Sequence, residues 1–468
     1  MTSDISNPRR ADIRAWSVLG CLATLQFLIA IDVTVVNVAL PSIGAGLSVS
    51  ARELTWVVVA YTITGGGLLM LGGRLGDVLG RRRVLIAGTA LFGAASLLAG
   101  LAPSFPLLVV ARLLQGVGEA LALPASMATI VLMFPEGPRR SRALSVWAAV
   151  ASAGLVVGFV LSGIITELYG WRWIFLVSVP FVVLVIIGAI ALVPADSAVA
   201  RVPLDLPGSL LLTLTPLLFA FGVIEAGEGG TAPWITAVVL IASAVSGALF
   251  VVVEKRSAAP LIPLTFFRNK TRVMANLATA LLSAALSTSF MLFTLHLQQR
   301  ALLTPLEAGL MLLPLAISLV AAATFVPRLL ERWGARACAG AGIALTAAGM
   351  AAIAIPSSGG AGAAATIPAM VLIAAGMGFG LVGLQYAAVT GVTEDDAGVA
   401  SGVQRAADQL GGSTGIALYI GIAFAPTLTT NIDPFVTASA LAVAGLAAAW
   451  LITRRITMPE PEKEPEVG

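Results

Sequence analysis

Two carboxylates and a guanidinium stand in this chain where an apolar medium tolerates charge least. Asp32 lies in Leu28-Ile29-Ala30-Ile31-Asp32-Val33-Thr34-Val35-Val36-Asn37-Val38-Ala39-Leu40-Pro41, with only Gln26, Thr34 and Asn37 as local polar company. Arg112, Gln115 and Glu119 are spaced three and four apart, so they share one helical face. Glu119 falls about two turns beyond Arg112, among Gly116, Gly118 and Ala120. A carboxylate at mid-membrane costs roughly 2.5–3.5 kcal/mol even on a lenient insertion scale, so each asks for a partner or a role. Burial and a neighbouring cation act on such an acid in opposite senses. Opposed terms of that kind suit a group that both takes up and releases a proton. The plainer readings are a hydrogen-bonded structural acid at Asp32 and a self-neutralising Arg112–Glu119 pair. Arg405 and Asp408, beside Gln404 and Gln409, are three apart and could likewise neutralise each other. His296 and Gln298 read as interfacial groups rather than a proton relay.

A second constellation is the basic hinge Gly73-Arg74-Leu75-Gly76-Asp77-Val78-Leu79-Gly80-Arg81-Arg82-Arg83, set between two apolar runs. Glycines at 73, 76 and 80 allow a sharp turn and close helix approach. A solvated basic turn needs no acid, yet Asp77 sits in the middle of this one. The stretch reads either as a plain topogenic loop or as a charged latch that one state makes and another breaks. An echo favours the latch: at a constant offset of 254 residues, Arg74, Leu75, Asp77, Gly80 and Arg82 match Arg328, Leu329, Glu331, Gly334 and Arg336. Such an echo is the mark of duplicated halves.

The elements that must position these groups follow from composition. With 58% hydrophobic residues, 11% charged residues and a mean hydropathy of +0.98, the 468-residue chain is an all-α polytopic membrane protein. Fourteen apolar spans are predicted, at 16–40, 54–73, 84–101, 106–133, 142–166, 173–193, 207–225, 233–253, 273–296, 305–327, 337–355, 364–391, 402–425 and 435–453. With both termini on the cytoplasmic side, 22 of the 27 Lys and Arg fall in inside segments and 3 (Arg52, Arg172, Arg300) outside, the remainder being Arg112 and Arg405 within spans. That asymmetry fits the positive-inside rule and an even number of crossings. The predicted organisation is a six-helix bundle over 1–195, an inserted helix pair with its linkers over 196–260 and a second six-helix bundle over 261–455. A proline-rich acidic tail over 456–468 reads as disordered. The first span is too long for a cleaved signal and is expected to be retained.

Several function classes find no support. There is no GxxxxGK[ST] for nucleotide-driven transport, and no Gly-x-Ser-x-Gly or histidine cluster for a membrane enzyme. Cys21 and Cys338 lie far apart without metal-like spacing, so neither a disulfide nor a metal is expected. Gly378-Phe379-Gly380-Leu381-Val382-Gly383 matches GxGxxG but lies inside an apolar run, where close helix packing explains it better.

These motifs together resemble the major facilitator superfamily, and within it the fourteen-helix drug:proton antiporter branch. Gly73–Arg83 resembles the family's cytoplasmic signature loop, Asp32–Pro41 its first-helix motif, and Arg112-Leu113-Leu114-Gln115-Gly116-Val117-Gly118 its fourth-helix motif associated with proton coupling. Trp171-Arg172-Trp173-Ile174-Phe175, and the run from Leu297-Gln298-Gln299 through Pro305 to Leu313-Pro314, also look familial. Two departures stand out. Gly154-Leu155-Val156-Val157-Gly158-Phe159-Val160-Leu161-Ser162-Gly163 keeps the small packing face of the fifth-helix antiporter motif, through Gly154, Gly158 and Gly163, but has Phe159 in place of its proline. Glu119 stands where the family usually has a small uncharged residue.

The resemblance implies a major-facilitator-type fold and proton-driven efflux of lipophilic drugs or natural products by alternating access, with no cofactor. The expected site is Asp32, Arg112, Gln115, Glu119, Asn37 and Asp408 for protons and substrate, with Gly73, Arg74, Asp77, Gly80, Arg81 and Arg82 as the conformational latch. The expected partners are a small hydrophobic substrate, cationic if Glu119 faces it, together with protons and the lipid of the cytoplasmic (inner) membrane. The chain is expected to act as a monomer and to bind no nucleic acid. A proton-coupled importer of a small metabolite, or a non-transporting membrane receptor, are the competing readings.

Overall fold

In an apolar medium each backbone N–H and C=O has to be paired inside its own segment, and a helix does this. The computed structural model describes residues 8–195, 203–226, 233–359, 362–390, 397–425 and 432–457. Arg201, Glu228, Lys463 and the acidic tail beyond 457 lie outside them. Among the described residues the apolar runs form fourteen long helices: α1 (Pro8–Leu47), α2 (Thr55–Leu79), α3 (Arg81–Gly100), α4 (Phe105–Met133), α5 (Pro138–Tyr169), α6 (Trp173–Leu192) and α7 (Leu206–Glu225). There follow α8 (Pro233–Arg256), α9 (Lys270–Leu295), α10 (305–333), α11 (335–359), α12 (Ile367–Val389), α13 (Ala397–Ala423) and α14 (Pro434–Thr453). Among the described residues, thirteen helical runs are long and apolar enough to cross a membrane. The exception is α13, whose first half carries Gln404, Arg405, Asp408 and Gln409.

The hinge between α2 and α3 is Gly80, at φ 97°, and the break between α10 and α11 is Gly334, at φ 77°. Both positions need the left-handed region that only glycine enters at no steric cost, and they are 254 residues apart. The same offset links two tight crossings. A side chain at Gly88 would meet the Ala122 backbone N at 2.7 Å, and one at Gly342 the Gly376 carbonyl at 2.7 Å. Gly380 and Gly383 of the GxGxxG stretch pack α12 on α11 against Gly342 and Ala339, so that stretch is a helix-packing face.

Between α2 and α4 the closest approach is at Gly72, where a Cβ would overlap the Ala120 carbonyl, and at Gly116, where it would overlap Thr64 and the Tyr61 carbonyl. Gly73 and Gly76 have room for a methyl group, the nearest atoms lying at 3.7 and 3.6 Å. Close approach here thus depends on glycines just before the basic hinge. On α5, Gly154 and Gly158 lie against Ala30 and Thr34 of α1, whereas Gly163 lies against Pro305 and Leu306 of α10.

The start of α1 and the end of α14 lie at one end of the bundle, the near end, where Arg14 meets the last turn of α6 and Thr271 of α9 bonds Thr457. The opposite end is the far end. The pair α7–α8 is held together by Ser243 Oγ donating to the Thr215 carbonyl (2.8 Å) and by Thr215 bonding Ser246 (3.0 Å). Of the two, α7 is the one wedged inward: Thr213 lies against Gly67 of α2, and Val223 against Gly421 of α13. It therefore touches both halves of the chain.

Because Gly72 faces a backbone carbonyl, Gly72→Ala forces α2 and α4 apart, costing about 1–3 kcal/mol. Gly73→Ala, with space available, keeps or raises stability, since alanine is the better helix former. Thermal melts of the two purified variants should move in these opposite directions.

Candidate functional site

A buried ion pair joins α1 to α4. Arg112 is 1% exposed and its Nη1 donates to Asp32 Oδ2 at 2.6 Å and to Gln115 Oε1 at 2.9 Å, while Nε donates to the Val57 carbonyl of α2 at 2.8 Å. Gln115 Nε2 in turn donates to Asp32 Oδ1 (3.2 Å) and to Ser96 Oγ of α3 (2.9 Å). The guanidinium also lies over the Tyr61 ring, 4.2 Å from its centroid. Helices α1 and α2 thus meet α4 at one cation, and α3 joins through Gln115, which explains how the charge persists in an apolar bundle: buried charges need pairing and hydrogen bonds. Arg112 pairs with Asp32 and not with Glu119.

Glu119, also 1% exposed, reaches across the molecule instead. Its Oε1 accepts from Gln409 Nε2 of α13 at 3.2 Å. Oε2 has no hydrogen-bond partner, and neither has the buried hydroxyl of Tyr61, which lines the same cavity. The absence of a side chain at Gly65 and Gly66 makes this meeting possible: a Cβ there would stand 2.9 Å from Glu119 Oε2 and 2.7 Å from Gln409 Cβ. A second bond between the halves, Thr62 to Ser413 at 2.7 Å, runs alongside.

These groups border a cavity of about 340 Å³ between the two halves. Glu119, Tyr61, Asn37 and Asp408 line it, with Phe159, Phe290 and Leu and Met side chains from both halves forming the apolar wall. Asp32 is 9% exposed and sits just behind that wall, flanked by the lining residues Ile29 and Val33. Asn37 Nδ2 donates to the Val33 carbonyl at 2.7 Å and its Oδ1 has no partner. Asp408 accepts from Ser283 of α9 at 2.6 Å and lies 3.5 Å from Arg405.

The far end of the cavity is sealed. Phe159 stacks on Phe290 at 6.1 Å, and Gly309 of α10 packs on the Phe159 carbonyl. Gln298 Nε2 donates to the Val38 carbonyl of α1 (2.7 Å), and Glu167, at the end of α5, accepts from Leu306 N in the first turn of α10 (3.0 Å). Toward the near end the same two helices are largely exposed, at 145–149 and 152–153 on α5 and at 324–325 and 327–328 on α10. The halves are thus joined at the far end through α5 and α10, while toward the near end Met70 of α2 packs against Gly402 of α13.

The basic hinge is spread over several partners. Arg74 donates to the carbonyls of Ala259 (2.5 Å) and Pro260, just after α8. Beside them Glu254, 3% exposed, accepts from Ile262 N at 3.2 Å, and Asp205 caps the start of α7. Arg82 donates to the Ile190 carbonyl of α6. Asp77 pairs with Arg81 at 2.9 Å within its own loop, both partly exposed. His296 is buried against Phe435 rather than exposed at an interface, and Arg300 pairs with Asp433 at 2.7 Å. Tyr61, Glu167, Glu254 and Asp205 were not singled out by motif or spacing. Only the Gly65-Gly66-Gly67 run after Tyr61 hints that something bulky crosses there.

Among known proteins, the chain is 51% identical to the lincomycin resistance protein of Streptomyces lincolnensis, covering 96% of this chain and 94% of that protein. It is 38% identical to the cephamycin export protein of Amycolatopsis lactamdurans, over 86% and 84%. Against the puromycin resistance protein of Streptomyces alboniger it is 35% identical, over 87% and 81%. A crystal structure of an auto-inhibited POT family peptide transporter superposes with a TM-score of 0.69 at 17% identity, covering 96% of this chain and 98% of that one, which speaks to fold alone. The model of the Major Facilitator Superfamily matches residues 22–416. With this match, this helical architecture and these relatives, the chain belongs to the major facilitator superfamily, as a multi-pass membrane transporter rather than an enzyme.

Proposed function

We propose that this protein exports small, apolar natural products of the antibiotic type across the cytoplasmic membrane, driven by protons moving inward. The observation that carries this reading is the placement of two buried acids of different character beside one cavity: Asp32 locked to Arg112 behind the wall, and Glu119 in the wall with one oxygen unsatisfied. The names of its relatives, which speak of resistance and export, support the direction. Residues 1–195 and 261–455 act as the two rocking halves, with 196–260 as the inserted pair. Both termini are cytoplasmic, which makes the near end the inner face and the far-end contacts of α5 and α10 a seal toward the outside. One chain encloses the whole cavity, so a monomer suffices.

In this reading Glu119 and Asp408 receive the cationic part of the substrate, while Asp32, tuned by Arg112 and Gln115, takes and gives the proton. Asn37 supplies a free acceptor in the wall. The latch Gly73, Arg74, Asp77, Gly80, Arg81 and Arg82 ties α2 and α3 to the segment after α8 and to α6. Each proton crossing the full potential contributes about 2.3 kcal/mol per 100 mV before any pH difference. Alternating access requires the far-end contacts of Phe159, Gly163, Glu167 and Gln298 to part.

Two measurements test this. In inverted vesicles loaded by an imposed pH gradient, Asp32→Asn should abolish gradient-driven accumulation of substrate; accumulation at the wild-type rate would remove Asp32 from the coupling. In a variant with Cys21 and Cys338 replaced by serine and one cysteine placed at Ser287 in the cavity, Glu167→Ala should raise labelling by an impermeant thiol reagent from the outer face several-fold. It removes a hydrogen bond, worth about 0.5–1 kcal/mol at this exposed position, that this far-closed conformation makes. Unchanged labelling would show that Glu167 plays no part in the seal.

A further inference from the structure

Tyr61 is 1% exposed and does two things at once. Its ring face lies under the Arg112 guanidinium, 4.2 Å from centroid to Cζ, and its hydroxyl and Glu119 Oε2 are both buried without a hydrogen-bond partner, on residues that line the same cavity. Arg112 and Glu119 are seven residues apart on α4, about 10 Å along the axis. Tyr61 of the facing helix α2 touches the guanidinium of the first and lines the same cavity as the carboxylate of the second. Backbone contacts fix the register. Arg112 Nε binds the Val57 carbonyl, one turn before Tyr61, and the absence of a side chain at Gly116 seats α4 directly on the Tyr61 carbonyl. One turn further on, Gly65 clears the space beside Glu119 Oε2.

We propose that Tyr61 is the positioning residue that couples the acid in the cavity wall to the Asp32–Arg112 ion pair, so that neutralising Glu119 with a cationic substrate or a proton alters how Arg112 holds Asp32. This deepens the export reading and rests on it. When Glu119 is charged, its free oxygen is the acceptor the hydroxyl lacks, and the phenol is drawn toward it. When a cation or proton neutralises Glu119 that pull weakens, and the ring is free to shift against the guanidinium it supports. The interaction between a cation and a ring face depends on their alignment, so movement at one end changes the balance at the other. The charged groups facing this assembly are Asp32 on α1, Arg112 and Glu119 on α4, and Arg405 and Asp408 on α13. The hydroxyl and the ring have separable roles: the first senses Glu119, the second supports Arg112.

A double-mutant cycle on the purified full-length chain tests this, with tetraphenylphosphonium as the probe. Glu119→Gln should weaken its binding roughly tenfold or more, as loss of a buried charge partner would. Tyr61→Phe should change affinity roughly three- to tenfold and displace the pH midpoint of binding, because it removes only the hydroxyl. In the Glu119→Gln background, Tyr61→Phe should have no further effect on either readout. Independent, multiplicative effects would overturn the coupling, because non-interacting sites are additive in free energy. So would a Tyr61→Phe variant indistinguishable from wild type in affinity and pH midpoint. Tyr61→Leu, which removes the ring as well, should also lower substrate-dependent proton release; release at the wild-type level counts against the ring's role. Should wild-type vesicles show no proton-driven efflux while the cycle still shows coupling, the export reading fails and the link through Tyr61 stands.

Discussion

A guanidinium cannot shed its charge, and in this molecule one is buried almost completely. Arg112 therefore dictates much around it. Asp32 must come from α1, the carbonyl of Val57 from α2, Gln115 from the next turn of α4 and an aromatic face from Tyr61. Removing one partner of such a cluster strands the rest, at a cost of about 3–5 kcal/mol for a buried pair. The first four helices are consequently set by polar satisfaction as much as by apolar packing. The glycines at 72, 88, 116 and 118 let them come close enough for it.

The second half is built with less charge and the same crossings. Gly342 and Gly376 repeat the contact of Gly88 and Ala122, and Gly334 repeats the turn of Gly80, yet Glu331 and Arg328 are exposed where Asp77 pairs with Arg81 and Arg74 is docked. The backbone geometry recurs at this offset while the chemistry differs. The polar burden of the second half is carried by α13, whose Gln409 meets Glu119 and whose Ser413 meets Thr62. The interface between the halves is thus narrow in polar contacts and wide in apolar ones, which suits surfaces that must separate.

Much of this was legible in the residues. Apolar run lengths and the distribution of arginines point to fourteen helices. The depths of Asp32 and Arg112, each counted at about 1.5 Å per residue from the same outer surface, place them at similar levels. The constant offset of 254 marks the two glycine hinges. What could not be read was which partner a group chooses across helices distant in sequence. Glu119 shares a face with Arg112 but bonds Gln409, 290 residues away. Arg74 looks made for an acid in its own loop, yet it binds carbonyls 185 and 186 residues on. Tyr61 reads as one more aromatic of an apolar helix, because nothing in its neighbours records that a cation lies over its ring. Gly72 and Gly73 are alike in sequence, and only the direction of the missing Cβ distinguishes them.

The wedge of α7 has a consequence for the surrounding lipid. By touching Gly67 of the first half and Gly421 of the second, it covers one of the two seams along which the bundle divides, while α8 lies outside it and leaves its own outward face to the bilayer. The other seam, between α5 and α10, has no such cover. The two flanks of the protein are therefore unequal: on one side α7 acts as a gasket that bridges both halves, and on the other α5 and α10 meet each other directly.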